Sequence, residues 1–570
     1  MCAHLECDLP SVFNGFIMLA SPSRFRSIRL PGLLSLLLPG LLIIAGSARA
    51  AVDLPTAPDP ERIRAHLTFL ADDLLEVREA GARGHEIAAS YVAAQFRALG
   101  LEPAGEEGFF QRVPLRTARL DLGSPTMELV ARDGAVRTLA FPNDFVVGAS
   151  TVREASAVDA EMVFVGYGVV ADLFEHDDYA GLDVSGKVVV MLSGAPLSWP
   201  SEERAHFSRQ KVEDAVARGA LGVISVSTPV SERVFPFSRR PLYMHLPRMG
   251  WIDADGATHR GFPELLAGAQ ISMEAAGALF DGAPQSADAL MAMVEDDRLP
   301  TGFPLAQRMR LSYRSALADL DSPNVIARLP GTDPDLAREH IVLTAHLDHI
   351  GFARTMDDDK INNGAMDNAS GVATLLEVAR LLKAARPARS VLFTIVTAEE
   401  KGLLGADYFA RHPTVPADSM IADINLDMPM LTFPFADVIA FGASHSTLSD
   451  HVRSAARAMD VTLSPDPFPE QAIFVRSDHY RFVQQGIPAV MLATGQQSQD
   501  PARPGKAAWE SFLAEHYHKP SDEISLGIDF ESAARFAELN ARVAMSLADA
   551  DERPYWLDGD FFGDLYGQPR

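Results

Sequence analysis

Three short apolar runs in this chain each stop at side chains that bind metals, and a chain built this way is held to one kind of sheet. Ile341 to Ala345 runs into His346 and Asp348, Val391 to Val396 into Glu399 and Glu400, and Ile421 to Leu426 into Asp427. The runs are apolar and rich in β-branched residues, as expected for buried strands. Between the first two lies the turn-rich stretch Asn363 to Gly371, which carries Asp367. It opens a helix whose apolar positions Val372, Leu375, Leu376, Ala379 and Leu382 recur at helical spacing. Strands and helices alternating from about Leu311 to Leu547 predict an α/β protein with a mixed, mostly parallel sheet sandwiched by helices. The strand ends then converge on one sheet edge, where open α/β sheets bind their ligands.

The residue types at that edge suit zinc. Zinc takes imidazole nitrogen and carboxylate oxygen, and a catalytic site leaves a position open. Two metals about 3.5 to 4 Å apart need a carboxylate that bridges them, and together they clamp the attacking and departing oxygens. Asp367 is assigned to the bridge, His346 and Asp427 to one zinc, and Glu400 and His518 to the other, giving two Zn2+ per chain. Glu399 points away from its neighbour if the segment is extended, and so is free to act as a base on the attacking water. Asp348 is placed to hold the second nitrogen of His346.

With these residues in view, a resemblance can be named. His346-Leu347-Asp348, Asp367-Asn368-Ala369-Ser370-Gly371, Glu399-Glu400, Asn425-Leu426-Asp427 and Tyr517-His518-Lys519-Pro520-Ser521-Asp522 resemble the motifs of the co-catalytic zinc aminopeptidases, metallopeptidase family twenty-eight. The likeness runs from about Pro60 to Leu547. It implies a zinc exopeptidase fold, two zinc ions on the residues assigned above, a peptide substrate, and a peptide bond after the bridging aspartate that is often cis, here Asp367-Asn368. It also implies that the segment rich in strands and turns, residues 126–305, is an inserted β-rich protease-associated domain with its linker, which either roofs the active site, its usual place, or serves as a passive spacer.

Other polar residues carry plainer readings. His349, His445, His479 and His516 are read as surface or core histidines, since the ligand set is complete without them. Ser477-Asp478-His479 are sequence neighbours with no Gly-x-Ser-x-Gly elbow, which argues against a serine triad. Tyr517 is a candidate donor to the oxyanion, with simple packing as the alternative. Arg476 and Arg481 are the cations near a motif that could clamp a terminal carboxylate.

The chain has 570 residues, enough for more than one core, and a formal net charge of -26 that argues against nucleic acid and anionic membrane as partners. Residues 1–50 read as a signal peptide region: Arg24, Arg26 and Arg29 precede an apolar run from Leu30 to Gly46, and Ala48-Arg49-Ala50 predicts cleavage after Ala50. The run is short and broken by Pro31 and Pro39, so no stable membrane insertion is expected after cleavage. A periplasmic or secreted protein follows, with Met18 an alternative start. Cys2 and Cys7, the chain's two cysteines, both fall upstream of the cleavage site. Residues 51–125 are assigned to the amino-terminal part of the peptidase domain, with Ile63, Leu67, Leu70, Leu74 and Leu75 on one helical face. Residues 306–550 are the catalytic domain, and residues 551–570 a tail that docks on the body, meets a partner or, more simply, is a disordered end. The leading reading is an aminopeptidase. A carboxypeptidase or dipeptidase, a glutaminyl cyclase-like enzyme, and a receptor-like binding module remain the alternatives; the oligomeric state is not readable.

Overall fold

A computed structural model of the protein describes residues 54–353 and 359–567. The signal region, with both cysteines and the expected cleavage site, lies outside the described residues. The apolar runs form the centre of the body sheet as His340–His346, Ser390–Val396, Met420–Asn425 and Ala489–Thr494. His340–His346 pairs in parallel with Ser390–Val396 on one side and with Met420–Asn425 on the other, and Ala489–Thr494 extends the parallel set. Antiparallel strands close the sheet beyond both ends of this set. Every residue of the four central strands is buried, which is why their sequence shows no polar alternation.

Helices Pro60–Leu70, Ser370–Ala385 and Phe530–Ala548 pack together against this sheet. Pro60–Leu70 starts at Asp59, whose carboxylate accepts the Glu61 N–H, with proline in the first turn where no N–H is needed. It buries Ile63, Leu67 and Leu70. Each such burial contributes roughly 1.5–3 kcal/mol. The helical face expected to continue through Leu74 stops at Leu70, and Leu74 is 87% exposed in a separate short turn. Glu377, fully buried in Ser370–Ala385, accepts the Asp59 N–H and pairs with Arg380, so a buried carboxylate ties the first helix to the second.

Residues from Met127 to Tyr313 build apolar clusters of their own. Successive side chains Met162, Val163, Phe164 and Val165 enter the two clusters alternately, as the two-residue period of a strand requires. Strands Ala155–Phe164, Val188–Leu192, Gly222–Val226 and Ala267–Ile271 are mutually parallel, and helix Ser201–Ala217 connects the second to the third. The boundary expected at residues 305 and 306 falls inside one strand, Phe303–Leu329, where its pairing register shifts between Pro304 and Arg308. Its first half pairs with Ala155–Phe164 in the insert, and its second half with Phe110–Leu120 and Ser390–Val396 in the body. A hydrogen-bonded strand, with no linker, therefore joins the two sheets.

Through Gly567 the tail docks on the body, the alternative to the simpler reading as a disordered end. Helix Phe561–Tyr566 fully buries Phe562 against His445, Phe474 and Tyr480 of the body, while Phe561 meets Phe207 of the insert. Three aromatic faces bury more surface there than a free end could. His445 joins all three parts: Nδ1 is 2.6 Å from Asp560 Oδ2 and Nε2 is 2.9 Å from Glu202 Oε2. Burial alone would lower this imidazole, but the two carboxylates raise it to about 9. A folded pKa above the unfolded value stabilises fully below pH ~6.5, and that contribution is lost as the pH rises through about 9. His445→Gln is therefore expected to cost about 2 kcal/mol at pH 6 and close to nothing at pH 10, read from denaturant melts. An equal loss at both pH values would show that packing, not charge, holds the clasp.

Candidate metal centre

His346 is the last residue of its strand, and its Nε2 lies 3.2 Å from Asp367 Oδ1 and 3.1 Å from Asp427 Oδ1. Asp427, two residues beyond Met420–Asn425, turns its other oxygen to the Ser477 hydroxyl, which donates at 2.6 Å. On the far side of Asp367, Oδ2 lies 3.2 Å from His518 Nε2, which is also 3.2 Å from Glu400 Oε2. The five side chains expected to hold metal thus form two donor groups that share one carboxylate. Asp367 and Asn368 are joined by a cis peptide bond.

Two expectations change at the glutamates. The segment is not extended: the strand ends at Val396, Ala398 takes a left-handed conformation with φ 54°, and Glu399 and Glu400 sit in a turn. The Asp348 carboxylate does not hold His346. Its backbone carbonyl is 3.1 Å from His346 Nδ1, while its carboxylate oxygen is 3.9 Å away. That carboxylate instead accepts the backbone N–H groups of Glu399 at 3.0 Å and Glu400 at 3.3 Å. A turn needs its exposed donors satisfied, so Asp348 sets the position of both glutamates.

His349, read as a bystander, is the largest departure. It is fully buried, with Nδ1 2.8 Å from Glu400 Oε1 and 3.9 Å from Asp367 Oδ2. The group His349, Asp367 and Glu400 can hold an ion, as can His346, Asp367 and Asp427. Its signal in the sequence was its place one residue after Asp348; counting the ligand set as complete hid it.

The residues present fit metal. His518 Nε2, Glu400 Oε1 and both nitrogens of His349 are buried without an aligned hydrogen-bond partner, although opposite charges stand within ion-pair distance. Their lone pairs converge without bonding one another, as donors around a cation do. Four acidic side chains, Asp367, Glu399, Glu400 and Asp427, meet in one buried spot, which is costly without a compensating cation. The electrostatics among the side chains show the strain. Burial and the charges of Asp427, Asp478 and Glu400 hold Glu399 well above the usual carboxylate range against the opposing charge of His346. Burial would raise Glu400 too, but His518 brings it down to about 2. Burial would lower His346 and His518, yet their carboxylate neighbours hold both well above the ordinary imidazole value.

Several supporting residues had no assigned role in the sequence. Asp522 accepts the backbone N–H groups of Met366 at 2.8 Å and Asp367 at 3.0 Å, fixing the turn that presents Asp367. Arg78, buried on the amino-terminal side, donates to the carbonyls of Leu347, Leu70, Gly364 and Asn363. It staples the strand end to that turn. Gly364 has φ 58°, and a Cβ there would stand 2.1 Å from the Asp367 carbonyl oxygen, so only glycine closes the turn. Asp478 is fully buried with neither carboxylate oxygen bonded, and burial pushes it up to about 8.

Ser477, Asp478 and His479 do not form a triad, since Ser477 donates to Asp427 and accepts from Asn425. His479 is a buried core residue and His516 bonds Ser521 near the surface. Tyr517 stacks on the His518 ring, centroids 3.9 Å apart. Arg481 donates to Gln484 and to the Gly402 carbonyl, and Arg476 to Gln471. The side chains of the cluster all come from the body, none from residues 126–302.

Residues 324–544 match the model of Peptidase family M28. The chain carries a peptidase family M28 domain. That domain spans the strand ends and the donors described above. Aminopeptidase Y of Saccharomyces cerevisiae is 26% identical over 242 residues, 41% of this chain and 40% of that protein. A probable zinc metalloprotease of Pyrenophora teres f. teres is 37% identical over 105 residues, 18% of this chain and 22% of that protein. The chain thus spans less than half the length of these curated relatives. The solved aminopeptidase from Aneurinibacillus sp. strain AM-1 shares the fold, with a TM-score of 0.52 at 20% identity over 87% of this chain and 96% of that one.

Proposed function

We propose that this M28 protein is a secreted, zinc-dependent exopeptidase with two zinc ions per chain, acting as an aminopeptidase on free amino ends. The observation that carries the reading is the sharing of Asp367 between two donor groups, with Glu399 beside them in the same buried spot. His346, Asp367 and Asp427 would hold one ion, and Asp367, Glu400 and His518 the other, with His349 at hand on the second side. Zinc bound there supplies Lewis acidity at the scissile carbonyl. Glu399 takes a proton from the water that attacks the carbonyl carbon. As the C–N bond breaks, it passes that proton to the leaving amine nitrogen. Burial, which raises its proton affinity, suits a group that must accept and return a proton. Asp348 holds Glu399 through its backbone, and Asp522 does the same for Asp367. Tyr517, stacked on His518, is the candidate donor to the developing oxyanion.

The aminopeptidase reading draws support from the acidic character of the cluster, which suits a substrate ammonium, and from the relative named Aminopeptidase Y. Of the arginines expected to clamp a carboxylate, Arg481 is buried and already engaged with Gln484 and Gly402. Secretion rests on the amino-terminal sequence; among the described residues no helix is long and apolar enough to cross a membrane. The test compares one peptide in free, amino-acetylated and carboxyl-amidated forms. Acetylation is expected to abolish cleavage and amidation to leave it; the opposite result would make the enzyme a carboxypeptidase.

A further inference from the structure

Away from the metal cluster, a crevice of 450 Å³ opens at the carboxyl ends of the insert's parallel strands Val188–Leu192, Gly222–Val226 and Ala267–Ile271. Open parallel sheets take their ligands at this edge, because the strand ends leave a cleft beside the crossover helix. Helix Ser201–Ala217 forms one wall, and Glu470 to Ala472 of the body close the other.

Three cations line the crevice, and none is ion-paired among the described residues. Lys211 is buried, which brings its amine down to about 7; it donates to the carbonyls of Leu192 at 2.6 Å and Gly194 at 2.8 Å, and the third N–H of its charged form is unused. Arg204 donates weakly to the Leu197 carbonyl at 3.3 Å. Arg240 lies over the Phe235 ring, with a buried Nε that has no partner. The carboxylates nearest in charge are committed elsewhere: Asp178 to His176 and the Val169 N–H, Asp297 to the Leu197 N–H, Glu232 to the Phe237 N–H. The one acidic side chain lining the crevice, Glu470, is exposed on the body side, and its charge also acts on Arg204. Between the cations the walls are valine and phenylalanine, with the paired hydroxyls of Ser193 and Ser225 at the floor.

We propose that this crevice is a binding site for a small carboxylate with an apolar body, its carboxylate received by Arg204, Arg240 and Lys211. Guanidinium forks and an ammonium with a free N–H are the donors such a group requires. The apolar walls take the remainder of the ligand. The proposal does not depend on the peptidase reading, because no side chain of the metal cluster lines this cavity.

The test is titration calorimetry on the full mature chain with metal bound, using N-acetyl-leucine as the probe. Binding is expected for N-acetyl-leucine and not for N-acetyl-leucinamide at about 10 mM. The double variant Arg204→Gln/Arg240→Gln is expected to weaken it at least about tenfold, as the loss of charge-assisted hydrogen bonds implies. Ser208→Trp, which fills the crevice from the same helix face while leaving all three basic residues in the chain, is expected to do the same, so that misfolding of either variant does not decide the matter. Asp427→Ala is expected to retain binding. Binding unchanged in both crevice variants, binding lost only in Asp427→Ala, no binding to the wild-type chain, or inorganic phosphate bound as tightly as the carboxylate would each overturn the assignment.

Discussion

Glu399→Gln is expected to keep the full metal content while lowering turnover by at least about 10²-fold, the usual contribution of a positioned base. The amide is nearly the same size, and its backbone N–H still reaches Asp348, so the turn that also presents Glu400 should survive. What changes is one acceptor of a proton. Burial and neighbouring acids hold the native side chain well above the ordinary carboxylate range, and Glu399 belongs to neither donor group, so the substitution leaves the assigned ligands in place. Metal analysis beside steady-state rates checks this. Near-normal turnover in metal-loaded Glu399→Gln would remove Glu399 from the mechanism, and metal loss would make it a ligand.

The second large effect is expected at Asp367. Its two oxygens face different histidines, His346 and His518, so Asp367→Ala takes a donor from both groups at once. Metal content should fall at both positions, and activity should fall beyond the roughly 10- to 100-fold typical of losing a partner behind a ligand. Asp522→Asn supplies that milder comparison, since Asp522 only holds the Met366 and Asp367 N–H groups. If Asp367→Ala retained one full equivalent of metal and Asp522→Asn lost as much activity as Asp367→Ala, the shared-carboxylate reading would fail.

How much of this was legible depends on range. The strand ends could be read because hydrophobic periodicity is local: a buried strand must be apolar throughout, and a parallel sheet sends its carboxyl ends to one edge. His346, Asp367, Glu400, Asp427 and His518 therefore stand together much as their order along the chain suggests. The direction of the Asp348 carboxylate was not legible, because it depends on which unsatisfied N–H groups lie within reach once the Glu399 turn has formed. His349 was passed over for a related reason. Whether a histidine three residues after His346 points to solvent or folds under the cluster is decided by the turn through Gly364 and the Arg78 staple, both formed with residues distant in sequence.

The insert and the tail mark the same division. Apolar runs between turns separated a segment rich in strands and turns, and the unbroken apolar run Met162 to Val165 suits a strand buried on both faces. That one strand, Phe303–Leu329, would serve both sheets was settled by its pairing partners, which no local pattern names. The aromatic residues of the tail were visible as a cluster, but an aromatic side chain in an acidic stretch has no intrinsic partner. Only the packed surfaces of Phe207, Phe474 and Tyr480 provide one, and His445 locks it by charge. Strand positions and donor types, then, follow from the sequence because they are fixed by local periodicity and by chemistry. The pairing of buried polar atoms belongs to the tertiary structure, because desolvation makes each one seek whichever partner the fold brings near.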